Sequence, residues 1–291
     1  MDLILHQIIS GIATGAIYAL LALAIVTVYQ ASGQFNFAQG EMAMFSTFIA
    51  WQLMQKGVPY WLAFAITLAV SFVAAVIIEH ILFRPIRAAP PFAHIVVFVA
   101  LYSILNSIAG YLWDYNVKTF PSPFGTRALF GNGLISAHEA GMIGVALTLL
   151  LLLYLFFRHT RLGLAMRAAT ASPDSARLAG IRVGGMIALG WGMAAVIGAT
   201  SGILIAPVVF LEPNMMAGVL LYGFAGAVVG GLTSPVGAVI GGFLVGIVEN
   251  LAGTIPGLGP ELKLTVALVL IIATLVIMPS GIFGRKDASR V

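Results

Sequence analysis

The sequence predicts an all-α fold, a polytopic transmembrane helical bundle of about eight or nine membrane segments, on three observations. Of its 291 residues, 60% are hydrophobic and 8% charged, where an ordinary globular domain carries about 25% charged residues. Apolar runs approaching or exceeding the roughly 20 residues that cross a bilayer recur from end to end. The basic residues concentrate in short stretches between those runs, the pattern that retains loops on the cytoplasmic side. A mean hydropathy of +1.06 leaves no soluble fold able to hide so much apolar surface, so residues 1–291 are expected to form a single transmembrane domain.

The segments fall near residues 8–29, 39–55, 61–83, 92–113, 139–157, 185–207, 214–232, 235–252 and 262–279. The second, seventh and eighth are short and interrupted by Gly or Pro, so each is a full span or a re-entrant half-helix. MDLILHQIIS has no basic n-region and no small-residue cleavage site after it, so this opening is expected to be retained. Arg84 and Arg87, the stretch from Arg158 to Arg182, and Arg285, Lys286 and Arg290 in the tail 284–291 are then cytoplasmic. With three segments before Arg84 the N-terminus lies outside, unless 39–55 is re-entrant. Glycines four residues apart, such as Gly198 and Gly202 or Gly242 and Gly246, make bare strips where another backbone approaches closely, in packing within the bundle, at a subunit interface or along a pore.

One loop, about 158–184, stands apart. Arg158, Arg161, Arg167, Arg177 and Arg182 face one acid, Asp174, so this segment carries an excess equal to the whole net charge of +4. Within it Ser172 suits an N-cap, Pro173 the first helical position, Asp174 the positive helix end and Gly180 the C-terminal cap. The result is a helix of about two turns, roughly 10 Å long. It either rests on anionic lipid or docks a partner; its small apolar face, Leu178 and Ile181, disfavours lipid.

Ionisable and amide groups inside segments are functional candidates. Asn36, Gln39 and Glu41 follow the Gly33 break and either cap a helix start or line a gate near the inner end of a path. Glu249 and Asn250 close the eighth segment, at an interface or on the path. Glu79 is expected to pair with Arg84, and Glu212 to lie in an outer loop. The five histidines are scattered without ligand spacing, there is no cysteine, and no G-x-S-x-G or H-E-x-x-H pattern occurs, so metal binding and catalysis are not expected. No basic domain suggests nucleic acid.

The run Asp174 to Gly180 resembles a degenerate form of the E-A-A-x-x-x-G loop motif of membrane permeases of ABC importers for branched-chain amino acids and related amides. Asp stands for Glu, Ser175 precedes Ala176, and the I-x-L-P tail of other importer classes is absent. Three more stretches are similar to this family: the Gly-rich opening helix leading to Asn36-Phe-Ala-Gln39-Gly-Glu41, the loop RLGLAMRAATASPDSARLAGIRV, and the Gly-rich paired helices broken at Ser234-Pro235. The family has His where this chain has Gln39, which argues against a titrating role there.

The resemblance implies a permease of the bacterial inner membrane. Its coupling loop, including Arg161, Arg167, Ser172, Pro173, Asp174, Ala176, Arg177, Gly180 and Arg182, docks on an ATPase. Two ATPase subunits using ATP and Mg, a homologous second permease and a soluble binding protein are implied as partners, with lipid around them and no cofactor on this chain. The chain has no G-x-x-x-x-G-K-[ST] loop of its own. The alternative is a stand-alone secondary transporter or channel using the same broken helices to hold a solute; an intramembrane enzyme would need clustered catalytic groups.

Overall fold

Apolar runs without helix breakers become continuous helices because the backbone must satisfy its own polar groups wherever water is excluded. In the computed structural model, which describes residues 2–87, 89–125, 127–129, 135–254 and 262–284, eleven α-helices follow one another among the described residues. They are α1 (Asp2–Ser32), α2 (Gln39–Gln55), α3 (Tyr60–Ile78), α4 (Pro91–Trp113), α5 (Ala137–His159), α6 (Arg161–Ala171), α7 (Pro173–Leu178), α8 (Val183–Val209), α9 (Met216–Gly230), α10 (Pro235–Ala252) and α11 (Lys263–Ile277). A π-helical turn, Glu79–Phe83, extends α3.

Nine of these match the nine expected segments. Six are long and apolar enough to cross a membrane: α1, α3 with its π turn, α4, α5, α8 and α10. Helices α9 and α11 are shorter apolar helices, and α2 has 17 residues. The tail arginines Arg285 and Arg290 and Lys286 lie outside the described residues.

The chain forms two compact units, one of residues up to 26, 122–146 and 218 onward, the other of 27–121 and 147–217. In the first, the bare strip of α1 meets that of α10. A Cβ on Gly11 would stand 2.8 Å from Ile247 Cα, and one on Gly246 would collide with the backbone of Gly15. Helix α9 closes on α10 in the same way, with Gly226 against Gly242. The glycine strips therefore pack helices within the unit. The start of α5 is fixed by a capping box. Ser136 Oγ accepts from the Glu139 N–H at 3.1 Å while Glu139 Oε2 accepts from the Ser136 N–H at 2.8 Å.

In the second unit α8 packs against α2 and α3. Gly198 and Gly202 of α8 face Gln39 and Thr47 of α2. The break between α1 and α2 is satisfied internally. Gly33 takes φ +71, and its N–H reaches the Tyr29 carbonyl at 2.7 Å. Asn36 Oδ1 accepts from the Ala38 N–H at 3.0 Å, Asn36 Nδ2 donates to Gln39 Oε1 at 3.1 Å, and Gln39 Nε2 donates to the Ala194 carbonyl of α8 at 2.9 Å. Asn36 and Gln39 are both buried, so these two amides carry the bend from one helix to the next.

Two outcomes follow for the detergent-solubilised protein. Gly246→Leu should lower stability by at least about 1–3 kcal/mol, the cost of overpacking, because backbone faces the added atoms; Gly218→Ala, with open space around it, should leave the melting temperature within a degree or two or raise it slightly. Gln39→Leu strips Asn36 of its buried acceptor and should cost about 1–3 kcal/mol, read by the same thermal melt.

Candidate functional site

The loop that sets this sequence apart folds as two short helices. Thr160 caps α6 by accepting from the Gly163 N–H at 3.0 Å. This helix was not expected from the sequence as a separate element, though Thr160 followed three residues later by a bare glycine is a legible start. Ser172 ends α6 and caps α7, accepting from the Ser175 N–H at 3.4 Å, with Pro173 at the first position. Gly180 takes φ +80. The Gly180 N–H bonds the Arg177 carbonyl at 3.0 Å and the Ile181 N–H the Ala176 carbonyl at 2.9 Å, which together close α7 in a Schellman motif.

Helix α7 therefore has two distinct faces. Ala176 is buried with Ala169 and Val183, against which Ile181, Met186 and Ile187 pack, and this ties α7 to α6 and to the first turn of α8. Leu178 is 92% exposed. Arg161, Arg167, Arg177 and Arg182 are all exposed. Arg177 donates to Asp174 at 2.9 Å, an exposed pair of small energetic weight. The loop thus exposes four guanidinium groups together with Leu162, Leu164 and Leu178.

The remaining candidates form two clusters, one in each unit. In the second unit Glu41, 1% exposed, accepts from Asn106 Nδ2 at 3.3 Å, and the same amide reaches the Pro213 carbonyl at 3.1 Å and Asn214 Oδ1 at 3.2 Å. Tyr115 donates its hydroxyl to Asn106 Oδ1 at 3.2 Å. Asn106 was missed from the sequence, although an amide in the middle of apolar α4 is itself the signal. In the first unit Glu249 accepts from the Tyr18 hydroxyl at 2.8 Å and lies 3.7 Å from Lys263 Nζ. Asn250 Nδ2 donates to Thr14 Oγ1 at 2.8 Å and to the Gly246 carbonyl at 3.0 Å. Tyr18 also stacks on Tyr222 with ring centroids 4.9 Å apart. Glu249 and Asn250 thus bind α10 to α1.

Glu79 departs from expectation. Its partner is Arg87 rather than Arg84, because the π-helical turn rotates the chain after Glu79 and leaves Arg84 exposed, beside His80 Nδ1 at 3.0 Å. The Glu79 side chain is 2% exposed, so pairing with a guanidinium offsets the desolvation of its charge. Glu212 follows Leu211, whose backbone exchanges two 2.9 Å hydrogen bonds with Lys118. Among the described residues no group of three or more His, Asp or Glu side chains is placed to hold a metal ion.

Residues 7–275 match the family described as the branched-chain amino acid transport system permease component. The chain is 30% identical over 308 residues to the high-affinity branched-chain amino acid transport system permease protein LivH of Escherichia coli K12, covering 99% of this chain and 97% of that one. It is 29% identical to the corresponding protein BraD of Pseudomonas aeruginosa, covering 99% and 98%. A probable LivH of Methanocaldococcus jannaschii is 27% identical over 91% of this chain and 88% of its own length. Among solved structures, a chain of PsaBC from Streptococcus pneumoniae in complex with Fab superposes with a TM-score of 0.52 at 15% identity, covering 93% of this chain and 91% of that one, a likeness of fold. The chain therefore belongs to the permease components of branched-chain amino acid transport systems, transport subunits rather than enzymes.

Proposed function

We propose that this chain is the membrane-spanning permease of an ATP-driven importer that moves branched-chain amino acids or related small amides across the bacterial inner membrane. The observation that carries the mechanism is α7, a helix capped at both ends, anchored by Ala176 and presenting Leu178 to the outside. Its α6–α7 loop and the C-terminal tail face the cytoplasm, and α7 seats in a cleft of one of two separate ATPase subunits. A homologous second permease completes the path, and a soluble binding protein delivers cargo from outside. ATP and Mg are used by the ATPases alone.

Coupling follows from how α7 is built. Because Ala176 packs with Ala169 and Val183, a displacement of α7 is delivered to the first turn of α8 through packed side chains rather than through a slack loop. Helix α8 is mostly buried and contacts α2 and α3, so its movement shifts the segment that carries Asn36, Gln39 and Glu41. These three residues gate the path in the second unit. Cargo crosses as a zwitterion bound weakly, since tight binding would retain it. Specificity resides chiefly in the binding protein.

Reconstituted with both ATPases, the second permease and the binding protein, the wild type should take up leucine only with ATP. Gly180→Val forces a β-branched residue into a left-handed conformation costing about 1–3 kcal/mol and should cut uptake at least roughly tenfold while the permease still inserts. Ser172→Ala, which removes a cap worth about 1 kcal/mol, should give a partial loss. Wild-type uptake by Gly180→Val would refute the coupling role of α7. Uptake without any ATPase would point to a stand-alone transporter.

A further inference from the structure

Behind α7 the second unit holds a cavity of about 390 Å³, within the range of about 300–1,000 Å³ typical of small-molecule sites. Its wall is built from the end of α1, the π-helical turn, α4, α6, α7 and α8, so the coupling helix closes one side of it. Two buried groups line this space. The Glu79 carboxylate is engaged by Arg87 through Oε1, which leaves Oε2 without a partner among the described residues. His94, 4% exposed, has its Nδ1 3.3 Å from the Pro90 carbonyl, and its Nε2 has no such contact among the described residues. Arg87, paired with Glu79, and Arg177, paired with the exposed Asp174, bring guanidinium groups to the wall, and Ile187 and Trp191 add an apolar face.

A wall that offers a carboxylate, two guanidinium groups and an apolar face matches a ligand that carries an ammonium, a carboxylate and an aliphatic side chain. A simple anion would meet Glu79 as a like charge, and a simple cation would meet the two arginines. We propose that this cavity binds the transported amino acid from the cytoplasmic side and thereby restrains the coupling helix; the inference rests on the function proposed above. The ammonium sits on Glu79 Oε2 with His94 Nε2, whose ring proton is on Nδ1 toward the Pro90 carbonyl, as a second acceptor, the carboxylate on Arg87 and Arg177, and the side chain on Ile187 and Trp191. Because Arg177 belongs to α7 while Glu79 and His94 belong to the bundle, an occupant bridges the two. Binding that favours the restrained position must be weakened by the movement that ATP drives, so accumulated cargo slows its own import.

The test uses the complete transporter without binding protein, with radiolabelled leucine in equilibrium dialysis, and then ATP-driven uptake with leucine added on the cytoplasmic face. Saturable leucine binding and a fall in uptake as cytoplasmic leucine rises are expected. Ile187→Trp partly fills the cavity against its apolar face and should weaken binding at least roughly tenfold and abolish the fall, measured against that variant's own rate without cytoplasmic leucine. If Ile187→Trp does not assemble, Thr170→Trp at the exposed rim of the same cavity replaces it. No saturable binding, equal binding of inorganic phosphate, or wild-type binding by the filled variant would overturn the proposal. Normal leucine transport with no cytoplasmic leucine effect would sink this site and leave the importer standing. Leucine binding sensitive to Ile187→Trp in a complex that does not transport leucine would keep the site and sink the importer.

Discussion

Where water is excluded, a backbone group without a partner costs several kcal/mol, and this constraint decides where the chain is allowed to bend. Each interruption of an apolar helix carries the polar atoms that repair it. At the α1–α2 break Asn36 and Gln39 occupy the freed space and reach the Ala194 carbonyl. At the α9–α10 break Ser234 accepts from the Gly237 N–H at 3.0 Å, and the Ile282 and Phe283 N–H groups cover the Val229 and Gly230 carbonyls. Between α6 and α7 Ser172 serves both helices. The broken helices are rigid joints rather than slack ones, so movement imposed at one end has a defined route through the unit.

That rigidity connects the loop to the bundle. Helix α7 has only six residues, too few to hold itself as an isolated helix. Its two caps and the Ala176 contact hold it in place, with Leu178 exposed. The same economy governs the first unit, where glycine strips bring α1, α9 and α10 to backbone contact and the Tyr18, Glu249 and Asn250 hydrogen bonds fix which faces meet.

The nine apolar segments and the caps of α7 at Ser172 and Gly180 were legible in the sequence because each rests on local chemistry: length, propensity and φ; the glycine strips were legible as strips, and the contacts between distant helices decide that they pack the bundle. What escaped depends on contacts between distant residues or on a change of helical period. Asn106 meets Glu41 across 65 positions. Arg87 replaces Arg84 at Glu79 because a π-helical turn, invisible to a count of 3.6 residues per turn, alters the register. Helix α6 went unseen because its Thr160 cap adjoins the end of α5, so the two helices read as one basic loop.

The central claim is that Leu178 sits at an interface with an ATPase on the cytoplasmic side. The chain contains no cysteine, so Leu178→Cys creates a unique thiol at the exposed apex of α7. In right-side-out vesicles from cells containing the assembled transporter, a membrane-impermeant maleimide should leave this thiol unlabelled until the membrane is opened. A short bifunctional reagent should then link it to an ATPase chain, with a yield that changes when ATP is added. Labelling from the outside, or free labelling from the cytoplasmic side with no ATPase adduct in either nucleotide state, would contradict the account.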